Sequence, residues 1–457
     1  GGNSDDLLMV PLPHHWDALQ LHGIRRVPEA LFSCTKGRNL PAVVTSGRLW
    51  RFAYTPPPVT WKPSTPFGQG ALTDTVLQAA WQTPVARMWD TVVAQLVVDL
   101  REPLDPTATD PYGFGKQVQR LARLLLVVDD AITSEGYMFL VARKQQLQEV
   151  LERSLSLFLQ TGDSQPGRLV YDETYGGLCS LVGLEDKNAD FGNGYYNDHH
   201  YHYGYLMYAL SVVVHFNPGY GLEHRQAILA LLYDIAAPSG ASSFFPMARH
   251  KDFFDGHSWA SGLFSQANGK SQESVSEAIN AYYGAALLAQ AMNETALASF
   301  ASLLLSTEIS AAQTYWQIPN STEIYDDAFS RPNAMVGNVG ALSVTASTWF
   351  GDRPEFVHCI NMLPFSPITQ ELLSPSFVEY EFPILDRSVP AAQPQWLALI
   401  RQDQGVVDAL GSWNAIQSYG ALFPVDSGTS LSDTYYWIGT RPVPAAAATA
   451  AEPSAEA

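Results

Sequence analysis

The sequence is short of positive charge: 26 lysines and arginines stand against 45 aspartates and glutamates, a formal net charge of −19. Nucleic acids and anionic membranes are bound through clustered positive charge, so neither is an expected partner. Cysteine is scarce. Cys34, Cys179 and Cys359 lie far apart, a pattern that excludes a disulfide scaffold and a thiolate zinc cluster. No apolar run reaches the roughly 18 residues that a membrane-spanning helix needs. HExxH spacing is missing, and the adjacent His199 and His200 cannot face one point on a helix, so no metal and no cofactor are expected. The chain opens at Gly1-Gly2 with neither a methionine nor a signal-peptide pattern, which reads as a processed or incomplete start.

Apolar and aromatic residues are plentiful. Of 457 residues, 46% are hydrophobic, with Trp 11, Tyr 21 and Phe 21. That is enough for two or three domains or one large helical barrel with appendages. Most of the aromatics fill a core, but flat rings also suit the C–H faces of sugars. Residues 1–60 read as short strands and turns, including Leu12-Pro13-His14-His15 and Val43-Val44-Thr45, too few for an independent sheet and therefore the end of a β domain. Pro56-Pro57-Pro58, Pro63 and Pro66 make a stiff connection. Helical spacing recurs over 84–102, 114–128, 140–159, 203–216, 222–236, 272–292, 294–316, 334–350 and 394–410. Long loops rich in Gly, Asp, His and aromatics join these stretches, which predicts paired helices around a central site. The tail from residue 441 is low-complexity.

The densest chemistry lies in Asp190-Phe-Gly-Asn193-Gly-Tyr-Tyr-Asn-Asp198-His199-His-Tyr-His202-Tyr-Gly-Tyr205. Asp198 and His202 are four apart where the stretch runs into a helix, a spacing that places both on one face. Glu273 and Glu277 repeat that spacing, followed by Asn280, Tyr282 and Tyr283. A first-turn acid is often a solvated residue favoured by the helix dipole. Here the flanking residues are polar and aromatic where a core would be aliphatic. A pair of carboxyl groups is what glycoside hydrolysis needs, one protonated for the leaving oxygen and one ionised for water or the sugar carbon, and three acids around one cleft would supply it. Like-charged neighbours and burial would raise the acid's pKa. Tyr171-Asp172-Glu173, Arg249-His250-Lys251-Asp252 and Asp255-Gly256-His257-Ser258-Trp259 are further loop clusters that extend the picture to a long groove.

These motifs, with Gln313-Thr-Tyr-Trp316, Thr348-Trp-Phe-Gly351, Met362-Leu-Pro364 and Leu431-Ser-Asp-Thr-Tyr-Tyr-Trp437, resemble glycoside hydrolase family 81, the endo-β-1,3-glucanases. The resemblance covers about residues 106–440. It implies a mainly α fold: an (α/α)6 barrel catalytic domain at 106–440, a small α/β connector at 61–105, and the remnant of an N-terminal β-sandwich at 1–60, with 441–457 as tail. It implies inverting hydrolysis of β-1,3-glucan (laminarin, callose or cell-wall glucan), with Asp198 as general acid, Glu277 as general base, and Glu273 and His202 as further catalytic residues. Tyr171, Asp172, Asp190, Asn193, His199, His257, Trp259, Asn280, Tyr282 and Tyr283 are the expected substrate contacts. Secretion to the exterior or cell wall is expected for the class, and the sequons at Asn293 and Asn320 agree with it. The competing expectation is a glucan-binding component that keeps the fold without turnover.

Overall fold

The structure, a computed structural model, describes residues 7–9, 11–19, 24–33, 35–45, 51–81, 87–101, 103–159, 169–264, 266–320, 322, 324–420 and 423–443. Its organising feature is an alternation of inner and outer helices. Among the described residues the inner helices are Pro111–Glu135, His199–Phe216, Val275–Ala291, Pro354–Ile360, Leu397–Val407 and Leu431–Gly439. The outer ones are Met88–Asp99, Val141–Leu159, Arg225–Ala236, Thr295–Tyr315, Pro375–Asp386 and Ala409–Tyr419. Each inner helix packs against its inner neighbours and against outer helices behind it, closing a two-layered ring.

Sequence pattern explains the layers. His199–Phe216 and Val275–Ala291 carry apolar and aromatic side chains on every face, and both are buried all round. Val141–Leu159 instead buries only the stripe Leu147, Val150, Leu151, Leu155, with charge facing out, so it settles in the outer layer. Pro111–Glu135 starts where Asp110 caps the backbone N–H of Gly113 at 2.8 Å, and ends at Gly136, whose φ of 76° is open to glycine at little cost.

Ring closure is polar. Arg123, on the first inner helix, grips Asp433 on the last with Nη2–Oδ1 at 2.8 Å and Nε–Oδ2 at 3.3 Å, and donates to Tyr208 Oη at 3.1 Å. The expected connector is redrawn here. Residues 61–105 hold the helices Asp74–Trp81 and Met88–Asp99 and no strand among those described. Met88–Asp99 is itself part of the ring, since Asp99 Oδ2 accepts from the backbone N–H and hydroxyl of Ser432 at 2.8 and 2.7 Å. Pro84, expected in that helix's first turn, and residues 444–457 of the tail lie outside the described residues.

Before the ring, strands Leu7–Met9, Gly37–Thr45 and Ile24–Ser33 form one antiparallel sheet in that spatial order, with no second sheet facing it among the described residues. Pro13-His14-His15, in a region expected as short strands and turns, opens a short helix, Pro13–Ala18, because proline is pre-set for a first helical turn. The hairpin tip reaches the ring: Lys36 Nζ lies 2.6 Å from His257 Nε2, and His14 Nδ1 2.8 Å from Tyr315 Oη.

The helix expected over 334–350 is also corrected. Strands Asn338–Gly340 and Val344–Thr345 stand there, and Asn338–Gly340 pairs on one side with Val344–Thr345 and on the other with Ser271–Gln272. Gly337, Gly340 and Ser343 break helical propagation, and this small sheet delivers the chain to Glu273.

Candidate active site

A cavity of about 840 Å³ opens in the ring, with Asp198, His202, Glu273 and Glu277 in its wall. The stretch from Asp190 to Asp198 approaches through unusual backbone: Asp190, Phe191, Tyr196 and Asp198 all have positive φ, between 49° and 65°. Left-handed conformations at non-glycine residues cost energy and persist where surrounding structure holds them. Here Asp198 N–H donates to Ala260 O at 3.0 Å, and Asn197 Oδ1 accepts from Gly262 N at 2.9 Å. The result places the Asp198 carboxyl at the mouth of the helix His199–Phe216, with His202 N–H bonded back to Asp198 O at 3.0 Å.

Glu273 is not on the helix that the i,i+4 spacing suggested. It follows strand Ser271–Gln272, and Ser274 is the N-cap residue of Val275–Ala291. Glu277 alone sits in the first turn. The bend still turns both carboxylates to the cavity.

The three acids differ in surroundings. Burial raises the Asp198 carboxyl well above the ordinary carboxylate range, and the negative charges of Glu273 and Glu277 push it further. Glu273 is raised to about 7, chiefly by burial, against the Trp349 N–H that donates to its Oε1 at 2.7 Å. Glu277 is also raised by burial, but the Lys116 charge and hydrogen bonds from Ser274, Tyr205 and Tyr112 hold it back; the Tyr205 hydroxyl lies 2.7 Å from Oε1. Burial and the neighbouring His199 and His250 lower His202 to about 3, so its ring is neutral and packs against Tyr112 and Phe191 with centroids 5.1 and 5.6 Å away. Asp198 is thus pushed furthest toward its protonated form, while around Glu277 a lysine charge and hydroxyl donors oppose protonation, a contrast that suits the division of labour in acid–base cleavage of an acetal.

The rim is aromatic. Phe191, Trp349 and Phe350 are 59%, 65% and 48% exposed, and Phe350 stacks on Trp396 with centroids 6.0 Å apart and planes 7° from parallel.

The expected substrate contacts fare differently. None of them lines this cavity. Asn280 exchanges two hydrogen bonds with Gln119 at 3.1 and 3.0 Å. Tyr282 meets the Ser258 hydroxyl at 2.7 Å and Tyr283 donates to Thr60 O, so both are ring core. His199 bridges Asp234 at 3.1 Å and Asn193 O at 2.8 Å, while the Asn193 amide accepts from Ser180 N at 2.6 Å and donates to Tyr203 Oη at 3.0 Å. His257 is fully buried between Lys36 and Ser258 O. For Asn280, Tyr282, Tyr283 and His199 the reason is shared: an inner helix buries its whole circumference, so its polar side chains mostly satisfy neighbouring helices and loops. Trp259 borders a separate pocket of about 160 Å³ and donates to Asp252. Tyr171 lies on the hairpin Leu169–Asp172/Gly177–Ser180 and donates to Phe244 O at 2.6 Å; Asp172 accepts from Tyr196 Oη at 2.8 Å. Asp190 shapes the loop beside the cavity without lining it.

Sequence reasoning missed Tyr112, Lys116, Tyr201, Tyr205, Trp349, Phe350, Trp396 and Asp426. Tyr201 and Tyr205 were legible as members of the densest stretch, and Trp349-Phe350 as a motif. Lys116 and Asp426 carried no local signal.

Among the described residues, a ring of six inner and six outer helices, with three carboxyl groups in the wall of a cavity edged by aromatic rings, is the build of an (α/α)6-barrel glycoside hydrolase. The glycosyl hydrolase family 81 C-terminal domain matches residues 85–438, and the chain belongs to that family. A glucan endo-1,3-beta-D-glucosidase of Glycine max is 30% identical over 364 residues, 77% of this chain and 52% of that protein. The primary septum glucan endo-1,3-beta-D-glucosidase of Schizosaccharomyces pombe is 31% identical over 311 residues, 67% of this chain and 30% of that protein. The chain therefore spans about half or less of the length of these relatives. The solved glycoside hydrolase family 81 structure from Clostridium thermocellum shares the fold at a TM-score of 0.73 and 21% identity, covering 96% of this chain and 56% of that one.

Proposed function

We propose that this chain hydrolyses internal β-1,3-glucosidic bonds of β-1,3-glucan with inversion. The observation that carries the reading is the contrast between Asp198, held protonated by burial and two negative neighbours, and Glu277, tied to Lys116 and two tyrosine hydroxyls. Asp198 gives its proton to the glycosidic oxygen as the C–O bond breaks. Glu277 takes a proton from the water that attacks the anomeric carbon from the opposite face, leaving one sugar hydroxyl at each new end. Glu273, beside both, orients that water and keeps the Asp198 proton in place through its negative charge. His202, neutral, acts as a hydrogen-bonding wall. Laminarin, callose and cell-wall glucan are the substrates that fit, the rim aromatics offering faces to the sugar rings. An extracellular or cell-wall site of action agrees with the exposed positions of both sequon asparagines, Asn293 and Asn320.

Release of reducing ends from a linear β-1,3-glucan tests the reaction, and proton NMR of the first-formed anomer tests its stereochemistry. An initial α-anomer is expected. A β-anomer would mean retention, whose carboxyl groups stand only about 5 Å apart. Glucan binding with no release would instead favour a binding component.

A further inference from the structure

Outside the three acids, the cavity wall holds one ion pair whose acidic member, Asp426, is used by none of the steps above. Lys116 Nζ lies 2.6 Å from Asp426 Oδ2, and both side chains are only 13% exposed. They come from opposite ends of the ring: Lys116 from the first inner helix, Asp426 from the loop that leads into the last. A buried pair costs desolvation on both sides and is weak evidence of a stabilising role, so its position in the cavity wall needs a reason.

The local build supplies one. Lys116 is one turn beyond Tyr112 on the same helix face, its ammonium 5.4 Å from the Tyr112 ring centroid, and Tyr112 itself hydrogen-bonds to Glu277. The turn that carries Asp426 is shaped to the lysine. A side chain at Gly428 would bring a Cβ within 2.8 Å of Lys116 Cε, and Thr429 and the Gly428 N–H bond to the Asp426 carboxylate. Asp426 keeps its charge below the usual carboxylate range despite burial, because Lys116 faces it. Its second oxygen, Oδ1, is buried without a protein partner.

We propose that Lys116 and Asp426 are a positioning pair for Glu277, in which Lys116 supplies the positive charge that keeps the base ionised and Asp426, bonded to the lysine, partly offsets that charge. This rests on the reading of Glu277 as the base. Facing Glu277 are Tyr112 and Lys116 from the first inner helix, Tyr205 from the second, Asp198 at that helix's mouth, Glu273 and Ser274 from its own segment, and Asp426 from the last loop. Lys116 is the sole cation among them. Every other charged group in the set is an acid, so without Lys116 a proton on Glu277 would be favoured and water activation lost.

The two residues act with opposite sign, and the test uses that. In Lys116→Met the Glu277 carboxyl is expected to titrate roughly one pH unit higher, the size of shift a single adjacent opposite charge produces, and the acidic limb of kcat/KM on linear β-1,3-glucan moves up with it. In Asp426→Asn the lysine loses its counter-charge, and both quantities move down. Lys116→Arg restores the wild-type limb. Carboxyl 13C NMR on glutamate-labelled protein, with the Glu277 signal assigned by Glu277→Gln, reads the same shifts without turnover. A Glu277 titration that is unmoved in Lys116→Met, or that moves in the same direction in both variants, overturns the proposal. Correct NMR shifts in a protein that releases no sugar would instead overturn the reading of Glu277 as a hydrolytic base. Should Lys116→Met fail to fold, Asp426→Asn and Lys116→Arg decide.

Discussion

The backbone N–H of Trp349 donates to Glu273 Oε1 at 2.7 Å, which ties an exposed ring at the cavity rim to a carboxylate in its wall. The contact exists because the sheet Ser271–Gln272, Asn338–Gly340, Val344–Thr345 brings two distant segments into register just before each reaches the cavity. The main chain binds Glu273 while the ring stands exposed at the rim, so under the proposed function, with the indole against the substrate, the two roles of Trp349 separate by mutation.

Trp349→Ala keeps the N–H and loses the ring. Its kcat on linear β-1,3-glucan should stay near wild type while KM rises about tenfold, corresponding to ~1.4 kcal/mol of lost binding. Initial-rate kinetics check this. A fall in kcat at constant KM would place the indole in the chemistry instead.

Asp198→Asn and Glu277→Gln should each lower hydrolysis by roughly 10²–10⁴-fold, the usual contribution of a positioned proton donor or acceptor. Both side chains line a cavity and each amide is isosteric with its carboxyl, an amide oxygen at position 277 still accepting from Tyr205, so circular dichroism and melting should stay close to wild type. Reducing-sugar assays give the first number, and activity near wild type in either variant would reassign the roles.

Glu273→Gln removes one of the two negative charges that raise Asp198. The Asp198 carboxyl then releases its proton at lower pH, so the alkaline limb of kcat/KM, which reports loss of the acid's proton, moves to lower pH. A pH–rate series on the variant shows this. An unmoved limb would mean that burial alone sets the acid.

Away from the cavity, Glu381 and Asp403 lie buried together with His358 between helices Pro354–Ile360, Pro375–Asp386 and Leu397–Val407, and Glu381 bonds to the His358 ring. Burial raises both carboxyls and lowers His358 to about 4. A carboxyl raised on folding contributes stability that is present below its unfolded pKa and lost as pH climbs through the folded value. The lowered histidine works the other way, its contribution vanishing as pH falls toward 4. Melting temperature should therefore decline from mildly acidic toward alkaline pH, and Glu381→Gln should flatten that decline even if it melts lower throughout. Calorimetric scans at several pH values decide, and an unchanged slope would remove Glu381 as its source.

Arg123→Met leaves Asp433 buried without its partner at the seam of the ring. Loss of one member of such a pair typically costs about 3–5 kcal/mol. Urea unfolding should show a correspondingly lower midpoint, whereas a change under 1 kcal/mol would mean that apolar packing alone closes the ring.

Helix existence was legible wherever periodicity was long, as in 114–128 and 140–159, because an amphipathic stripe repeats many times over such a length. It failed over 334–350, where scattered apolar residues imitate a helix while glycine and serine favour turns, and at Pro13–Ala18, a helix too short to show a period within a stretch expected as strands and turns. Of the site, the acids were legible because carboxylates clustered beside histidine and aromatics have few structural uses. Asn280, Tyr282 and Tyr283 misled for the same reason: polarity on an inner helix resembles a binding face, although it is consumed by Gln119, Ser258 and Thr60.

The sequence by itself determined the family and named the acids that the fold brings to one cavity wall, since residue type and local spacing settle which side chains can donate or accept a proton. It also determined the layers, since a helix apolar all round must be buried and a striped one must face water. Only tertiary structure decided how the acids differ, because burial and the charges of residues far away in the chain act through space. Lys116 and Asp426 are the clearest case: 310 positions apart by their numbering, they meet only when the last inner helix closes against the first.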